Sequence, residues 1–266
     1  MRCGKEITMK QQNKAYERML FNRRELPELE SDLRDNYHQH VLEFLQRHKT
    51  ELRGRILEAG CGRGIFGKQL LRSFAGAEIV GVDLCEQMVA LANDNTPSYR
   101  AITGDLEEES LFEKNSLDGI ACHGVLHHFP DLTRVVNNFS TWCKPGGVVV
   151  FTEPNGNNTV KRFSAMIRKA VEISCGKEFV LKHGWASPNE INHPLGVYKT
   201  VFANCGFRLV GMELHTDVAW PRRIRSLFDC RDAVFYAQWK LFPHALFAGM
   251  DIMMLFRKPS ALKSDV

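Results

Sequence analysis

The sequence predicts a doubly wound α/β fold, in which helices cover both faces of a mostly parallel sheet. From residue 55 onward, short β-branched runs alternate with stretches of helical periodicity, the pattern of consecutive strand–helix units. The first run leads into a glycine-rich turn, RILEAGCGRGIFG (55–67), of the kind that binds a nucleotide-like ligand. A chain of 266 residues is long enough for one large domain of this kind.

The elements follow from the periodicity of the apolar residues. Two amphipathic helices, 10–22 and 31–49, precede the first strand and predict an N-terminal helical cap over residues 1–50. The predicted strands are 55–60, 78–84, 99–106, 117–124, 147–153, 207–215 and 250–258. The predicted helices between them are 64–74, 85–95, 131–143, 159–174 and 195–205. A turn is expected at Lys144-Pro145-Gly146-Gly147, before the fifth strand.

The pattern is less regular after residue 155, so the sheet domain (51–266) is predicted to carry helical insertions at about 156–206 and 217–247. Aromatic residues in the second insertion either form a lid over an apolar or aromatic ligand or pack as a helix face on the sheet. They are Trp220, Phe228, Phe235, Tyr236, Trp239 and Phe242. Basic residues such as Lys161, Arg162 and Arg168 form a solvated face, or else contact an anionic substrate or a membrane surface.

Composition excludes several classes of protein. A net charge of +4 is too small to indicate a nucleic-acid partner. The eight cysteines are scattered without metal-like Cys/His spacing, which argues against a metal site and for reduced thiols in the cytoplasm. The sequence shows no apolar core of a signal peptide near its start and no apolar run of membrane-spanning length. Nothing in it indicates an oligomeric state.

The glycine-rich turn fits two templates. Gly62, Gly64 and Gly67 match the G-x-G-x-x-G spacing of dinucleotide-binding proteins, and Asp83 follows about 20 residues later, where such proteins place a ribose-binding acid. An alternative frame starts earlier, at Glu58, and continues through Gly60, Gly62 and Gly64. The first frame favours an NAD-dependent oxidoreductase.

Motifs at the later strand ends favour the second frame. Asp83 closes the second strand, Gly104-Asp105-Leu106 the third, and CHGVLHHFPD (122–131) the fourth. Together with the Glu58 frame, this ordered set resembles the Rossmann-like methyltransferases that use S-adenosylmethionine (SAM), over about residues 55–155. The resemblance implies a seven-stranded sheet whose last strand is antiparallel, with terminal helical additions that form a lid, and SAM as the cofactor.

The resemblance also implies roles for individual residues. The backbone of the turn approaches the methionine part of SAM, Glu58 orients the turn and faces the cationic end, Asp83 accepts from both ribose hydroxyls, and Asp105 accepts from the adenine amino group. Backbone groups at the end of the fourth strand hold the ammonium group. The implied cofactor-binding residues are Glu58, Gly60, Cys61, Gly62, Gly64, Asp83, Leu84, Gly104, Asp105, Leu106, Cys122 and His123.

The catalytic group is less constrained, because the sulfonium of SAM supplies the reactive methyl and the protein chiefly aligns a nucleophile. Candidate bases are Glu153 after the fifth strand, His193 in the first insertion and His123 after the fourth strand. The alternative is that all three residues shape the pocket without acting as a base. The sequence lacks the N-P-P-[YF] tetrapeptide after the fourth strand, which weighs against amino-group methylation of bases or glutamine.

The resulting prediction is a SAM-dependent methyltransferase for a small molecule that is apolar or aromatic. Oxygen is favoured over carbon as the methylated atom. A SAM-binding protein without methyl transfer and an NAD-dependent oxidoreductase are the alternatives.

Overall fold

The computed structural model describes residues 14–19, 38–94, 99–176, 179, 190–216, 227–243 and 245–260. In this part of the chain the strands are β1 (Gly54–Ala59), β2 (Ala77–Asp83), β3 (Arg100–Thr103), β4 (Leu117–His123), β5 (Cys143–Pro154), β6 (Arg208–His215) and β7 (Asp251–Arg257). They form one sheet in the order β3-β2-β1-β4-β5-β7-β6. Strands β1 to β5 are parallel, whereas β7 is antiparallel to both β5 and β6. The predicted doubly wound sheet with an antiparallel last strand is confirmed.

Helices flank the sheet on both sides. They are α1 (14–19), α2 (Gln39–Arg47), α3 (Ile65–Ser73), α4 (Glu86–Asp94), α5 (Thr133–Trp142), α6 (Thr159–Cys175), α7 (Leu195–Asn204) and α8 (Leu227–Leu241). Much of the two predicted N-terminal helices lies outside the described residues, as do Trp220 and the start of the second insertion. No helix among the described residues is long and apolar enough to cross a membrane.

Both faces of the central strands are buried, which explains why their sequences are almost continuously apolar. In β5, Val149 and Phe151 pack with α5 and α7, while Val148 and Val150 pack with α2 and α3 on the opposite face. Successive strand residues point to opposite faces, so a run of apolar residues supplies two cores at once.

The predicted turn at Lys144–Gly147 is instead the irregular start of β5. Cys143 pairs with Leu117, and the register shifts before Gly119 pairs with Val148. Gly146 has φ of +86°, a conformation that glycine adopts without steric cost, and its N–H donates to the Lys258 carbonyl at 2.8 Å. The segment therefore enters the strand through a bulge-like irregularity.

The parallel strands end at one edge of the sheet, where the loops after Ala59, Asp83, Thr103 and His123 meet. Because β7 runs in the opposite direction, its first residue, Asp251, lies at this same edge. Ligands of open α/β sheets bind beyond the carboxyl ends of the strands. This edge is therefore where the candidate site is built.

Candidate functional site

The glycine turn joins β1 to α3 through three left-handed backbone conformations. The φ angles of Gly60, Gly62 and Gly64 are +66°, +49° and +72°, in the region that side chains with a Cβ rarely adopt. A Cβ at Gly60 would lie 2.3 Å from the Val125 side chain, whereas a Cβ at Gly62 would meet no atom within 4 Å. The turn thus presents bare backbone at Gly62 to open space.

Glu58 connects the end of β1 to the first turns of α3. Its Oε1 accepts the Gly67 N–H at 2.9 Å, and its Oε2 accepts the Tyr99 hydroxyl. Burial raises the pKa of Glu58 to about 7, although both hydrogen bonds act in the opposite direction. Glu58 orients the turn through these bonds, and Tyr99 is a partner that sequence patterns did not indicate.

Asp83 ties the glycine turn to the end of β2. Its Oδ2 accepts the Gly62 N–H at 2.8 Å, and its Oδ1 accepts the Cys85 N–H at 2.9 Å. Burial raises the pKa of Asp83, and the two backbone hydrogen bonds lower it in part. A carboxylate has about four acceptor sites, so each oxygen can still accept from a ligand hydroxyl. Leu84, the next residue, accepts from Arg18 Nε at 3.2 Å through its carbonyl.

The loop after β3 is contacted by the N-terminal helix α1. Lys14 Nζ pairs with Asp105 and lies 2.5 Å from Glu107 Oε2. Burial lowers the pKa of Lys14, but the two carboxylates outweigh burial and raise it overall. On the same helix, Glu17 Oε1 lies 3.3 Å from His128 Nδ1. Helix α1 therefore spans the loops after β2, β3 and β4.

Gly104 and Leu106 flank Asp105 in this loop. The Gly104 N–H donates to the Asp83 carbonyl at 3.0 Å, and the Asp105 side chain accepts the Glu107 N–H at 3.0 Å. Leu106 is buried, and its carbonyl accepts from the Asn138 side chain at 2.9 Å. The loop thus presents Asp105 beside the end of β2.

Glu153 holds the loop after β4 in place. Its buried carboxylate accepts the N–H groups of Val125, Leu126 and His127 at 2.8, 2.6 and 3.2 Å, and it lies 2.8 Å from His127 Nδ1. These bonds lower the pKa of Glu153 although burial opposes them, and the carboxylate raises the pKa of His127 against its own burial. Both oxygens of Glu153 are engaged by the loop.

His193, just before α7, also holds the loop after β4 in place. It is buried, and its Nε2 lies 2.8 Å from the Phe129 carbonyl. Its own carbonyl accepts the Gly156 N–H at 3.1 Å, and the Ile191 N–H donates to the His127 carbonyl at 2.7 Å. The candidate bases Glu153 and His193 are therefore both bonded to residues of the loop after β4.

The last residues of β4 point in opposite directions. Cys122 is buried in the core beneath α5, whereas the His123 ring lies on the other face, 5.7 Å from Phe66 and 4.4 Å from His38. Sequence patterns did not single out His38 or Phe66. Phe66 is the second residue of α3, so the His123 ring lies beside the glycine turn.

Comparisons with known proteins bear on this edge of the sheet. A family model described as a methyltransferase domain matches residues 57–151. Residues 57–151 therefore carry a methyltransferase domain. The matched methyltransferase segment contains the glycine turn, Asp83 and Asp105. It thus favours the frame that starts at Glu58 over the dinucleotide frame.

A relative of this methyltransferase domain is the ubiquinone biosynthesis O-methyltransferase of Chromobacterium violaceum. It is 31% identical over 122 residues, covering 44% of this chain and 51% of that protein. The chain spans about half the length of the curated relatives it matches.

Solved structures share the fold. A putative methyltransferase in complex with the Haloferax volcanii Trm112 activator has a TM-score of 0.62 at 16% identity, over 86% of this chain and 93% of that one. Geranyl diphosphate C-methyltransferase from Streptomyces coelicolor, solved with S-adenosyl-L-homocysteine, has a TM-score of 0.59 at 15% identity, over 83% and 76%. At this identity the likeness shows the fold alone.

Proposed function

We propose that this protein transfers the methyl group of SAM to an oxygen atom of a small-molecule acceptor. The observation that carries the proposal is the glycine turn of a methyltransferase domain, held to the end of β2 by Asp83. The choice of oxygen rests on the O-methyltransferases among the relatives, which match less than half of the chain.

The site residues fit the cofactor. Gly62 offers backbone to open space at φ +49°, and each oxygen of Asp83 keeps acceptor capacity for a ribose hydroxyl. We assign Asp105 to the adenine amino group, and the carbonyls of Cys122 and His123 to the ammonium group. The remaining cofactor contacts are assigned to Glu58, Gly60, Cys61, Gly64, Leu84, Gly104 and Leu106. When bound, the cofactor supplies an electrophilic methyl group.

Helix α1 is proposed as the part of the N-terminal cap that closes over the adenosine end of the site. The proposal is supported by the contacts of Lys14, Glu17 and Arg18 with three strand-end loops. Because Lys14 already pairs with Asp105, the adenine amino group would share that carboxylate with the lysine. The cap therefore tightens the site without supplying chemistry.

The acceptor is proposed to be small and apolar or aromatic, and not a nucleic acid. In the second insertion, Phe235 is buried but Phe242 is 52% exposed, so part of this aromatic segment packs and part stays available to a ligand. Contact with a membrane surface also stays a prediction. It is supported by α6, which exposes Phe163, Met166 and Ile167 beside basic residues. A cytoplasmic location stays a prediction as well.

Two measurements test the proposal. Calorimetry should show micromolar binding of S-adenosyl-L-homocysteine, whereas binding of NADH without it would refute the cofactor assignment. Mass spectrometry of cell-extract metabolites, incubated with the protein and SAM, should then show a product heavier by one methyl group. Cofactor binding without any methylated product would instead favour a SAM-binding protein that does not transfer methyl.

A further inference from the structure

Tyr99, the residue before β3, lies between the sheet and the start of α3. It is 3% exposed and belongs to the core on the face of the sheet that α2 and α3 cover. On this face Glu58 and Gly81 are partners across β1 and β2, and Gly81 and Ala101 are partners across β2 and β3. Because Gly81 has no side chain, the Tyr99 side chain can cross β2 and reach Glu58 on β1.

Three glycines leave the space that the Tyr99 side chain fills. A Cβ at Gly81 would lie 2.2 Å from the Tyr99 hydroxyl oxygen. A Cβ at Gly64 would lie 2.8 Å from the Tyr99 ring, and one at Gly67 would lie 2.4 Å from it. Gly64 caps α3 and Gly67 lies in its first turn, whereas Gly81 belongs to β2. The ring is therefore enclosed between β2 and the beginning of α3, and it sets the distance between them.

Polar contacts join Tyr99 to the same turn. The Tyr99 hydroxyl donates to Glu58 Oε2, and Glu58 Oε1 accepts the Gly67 N–H at 2.9 Å. Lys68 Nζ lies 5.6 Å from the centre of the Tyr99 ring, and it donates to the Arg63 carbonyl at 3.4 Å. Tyr99 thus contacts the residues of the turn through its ring and through its hydroxyl.

The hydroxyl bears on the protonation of Glu58. An ionised carboxylate accepts from the Gly67 N–H and the Tyr99 hydroxyl at once, whereas protonation turns one of its oxygens into a donor. Burial raises the pKa of Glu58 to about 7, and the bond from Tyr99 acts against this rise. The other titratable groups that interact with Glu58 are Cys61 in the turn, Lys68 on α3, Asp83 at the end of β2 and Cys122 on β4.

We infer that Tyr99 is a positioning residue for the cofactor: its ring sets the distance of the glycine turn from the sheet, and its hydroxyl holds Glu58 as an acceptor for the start of α3. The inference rests on the proposed function, in which this turn binds SAM. Tyr99 acts through Gly64, Gly67 and Glu58 and supplies no chemistry of its own. A binding site keeps its geometry only when packed side chains beneath it lock the residues that contact the ligand.

The first test removes the ring. In calorimetry with the full chain, Tyr99→Leu should weaken binding of S-adenosyl-L-homocysteine by about 10-fold to 100-fold, because a small displacement of a positioned group is costly. Phe44→Leu is the matched control, since Phe44 is a fully buried ring of α2 in the same core. Both variants should lose thermal stability, but Phe44→Leu should keep the affinity of the unmodified protein within about twofold.

The second test removes the hydroxyl and keeps the ring. The affinity for S-adenosyl-L-homocysteine, measured against pH, should be higher where Glu58 is ionised. In Tyr99→Phe the carboxylate loses a donor, so the inflection of this profile should move to higher pH by about one unit, the size of a hydrogen bond to a charged group. A purely structural role of Tyr99 would lower the stability without moving the inflection.

Tyr198→Phe is the control for the hydroxyl. Tyr198 is also fully buried, but it lies in the core on the opposite face of the sheet. Within the described part of the chain its hydroxyl has no hydrogen-bond partner, so its removal should leave the pH profile of binding unchanged.

The outcomes separate the inference from the proposed function. If the unmodified protein does not bind S-adenosyl-L-homocysteine, the proposed function fails. If it binds and Tyr99→Leu binds equally well, the ring does not position the turn. An inflection that stays in place in Tyr99→Phe overturns the role of the hydroxyl. Should Tyr99→Leu fail to fold, the pH profile of Tyr99→Phe decides the outcome.

Discussion

The Glu58 carboxylate accepts the Gly67 N–H at 2.9 Å and fills the space that a Cβ at Gly67 would need. That Cβ would lie 2.3 Å from Glu58 Oε2 and 2.4 Å from the Tyr99 ring. Gly67 is the third glycine of the apparent dinucleotide motif, and close packing explains it without a pyrophosphate. Gly62 has a different reason, because a Cβ there would meet no atom within 4 Å and its φ is +49°.

Gly67→Ala should destabilise the fold, whereas Gly62→Ala should weaken cofactor binding. The first crowds a buried site and should cost about 2 kcal/mol of unfolding free energy in urea titrations. Gly62→Ala adds left-handed strain of about 1 kcal/mol. Its Cβ points into open space, so it should crowd no protein atom and instead obstruct the binding of S-adenosyl-L-homocysteine. Gly206→Ala is the matched control, because Gly206 also has positive φ and open space. Equal losses of affinity in Gly62→Ala and Gly206→Ala would contradict the placement of the turn.

The stability of the protein should fall as pH rises through the titration of Glu58. Its pKa in the folded protein is about 7, against an ordinary value of 4.5. Between these values the folded state binds the proton more tightly than the unfolded state, so the free energy of unfolding decreases by up to about 3 kcal/mol. Above the folded pKa this contribution is constant. In Glu58→Gln the unfolding free energy, measured by urea titrations at several pH values, should no longer decrease with pH over this range. An unchanged pH dependence would contradict the raised pKa of Glu58.

Asp83→Asn should weaken binding of S-adenosyl-L-homocysteine by about tenfold in calorimetry. The amide keeps the size of the side chain, but one acceptor oxygen becomes a donor that faces the N–H of Gly62 or of Cys85 and no longer accepts from a ribose hydroxyl. Thermal unfolding of the ligand-free variant reports any change in the turn itself. Unchanged affinity would show that the ribose lies elsewhere.

The pair of Glu153 and His127 should stabilise the fold over a bounded pH range. The lowered pKa of Glu153 gives stability that is present above the ordinary 4.5 and is lost as pH falls through the folded value. The raised pKa of His127 gives stability that is present below the ordinary 6.5 and is lost as pH rises through the folded value. Glu153→Gln should therefore cost about 3 kcal/mol between these limits.

The same variant distinguishes an anchor from a catalytic base. Both oxygens of Glu153 are bonded to the loop after β4. Turnover by Glu153→Gln should therefore fall only in proportion to its loss of stability. A variant of full stability and no turnover would restore Glu153 as the base.

Lys14→Ala should loosen α1. The ion pairs of Lys14 with Asp105 and Glu107 are partly buried, so their loss should speed amide exchange in α1 and raise the dissociation rate of S-adenosyl-L-homocysteine by about threefold to tenfold. Lys169→Ala, which removes an exposed pair with Glu172, is the control. Unchanged exchange and dissociation in Lys14→Ala would argue against a closing role for the helix.

The strands were predictable because burial on both faces leaves a strong local signal. Each predicted strand overlaps one in the structure, and the Asp83 and Glu58 contacts lie where the glycine turn and the strand ends indicated. Strand ends are less certain from sequence, as the irregular start of β5 shows.

The missed residues lack any local pattern. Tyr99 reaches Glu58 across 41 residues of sequence, and Lys14 reaches Asp105 across 91. His38 and Phe66 meet His123 only because α2 and α3 pack on the same face of the sheet. Such contacts depend on the tertiary arrangement of whole elements, and no residue spacing within one segment indicates them.

The strand order has a consequence for how this protein can change. The residues assigned to the cofactor lie at the ends of β1, β2 and β4 or in the loops after β1, β2 and β3, within the matched segment 57–151. Helices α6, α7 and α8 and strands β6 and β7 follow that segment. The elements after residue 151 can therefore vary, by evolution or by design, while the glycine turn and the ends of β2 and β3 stay the same.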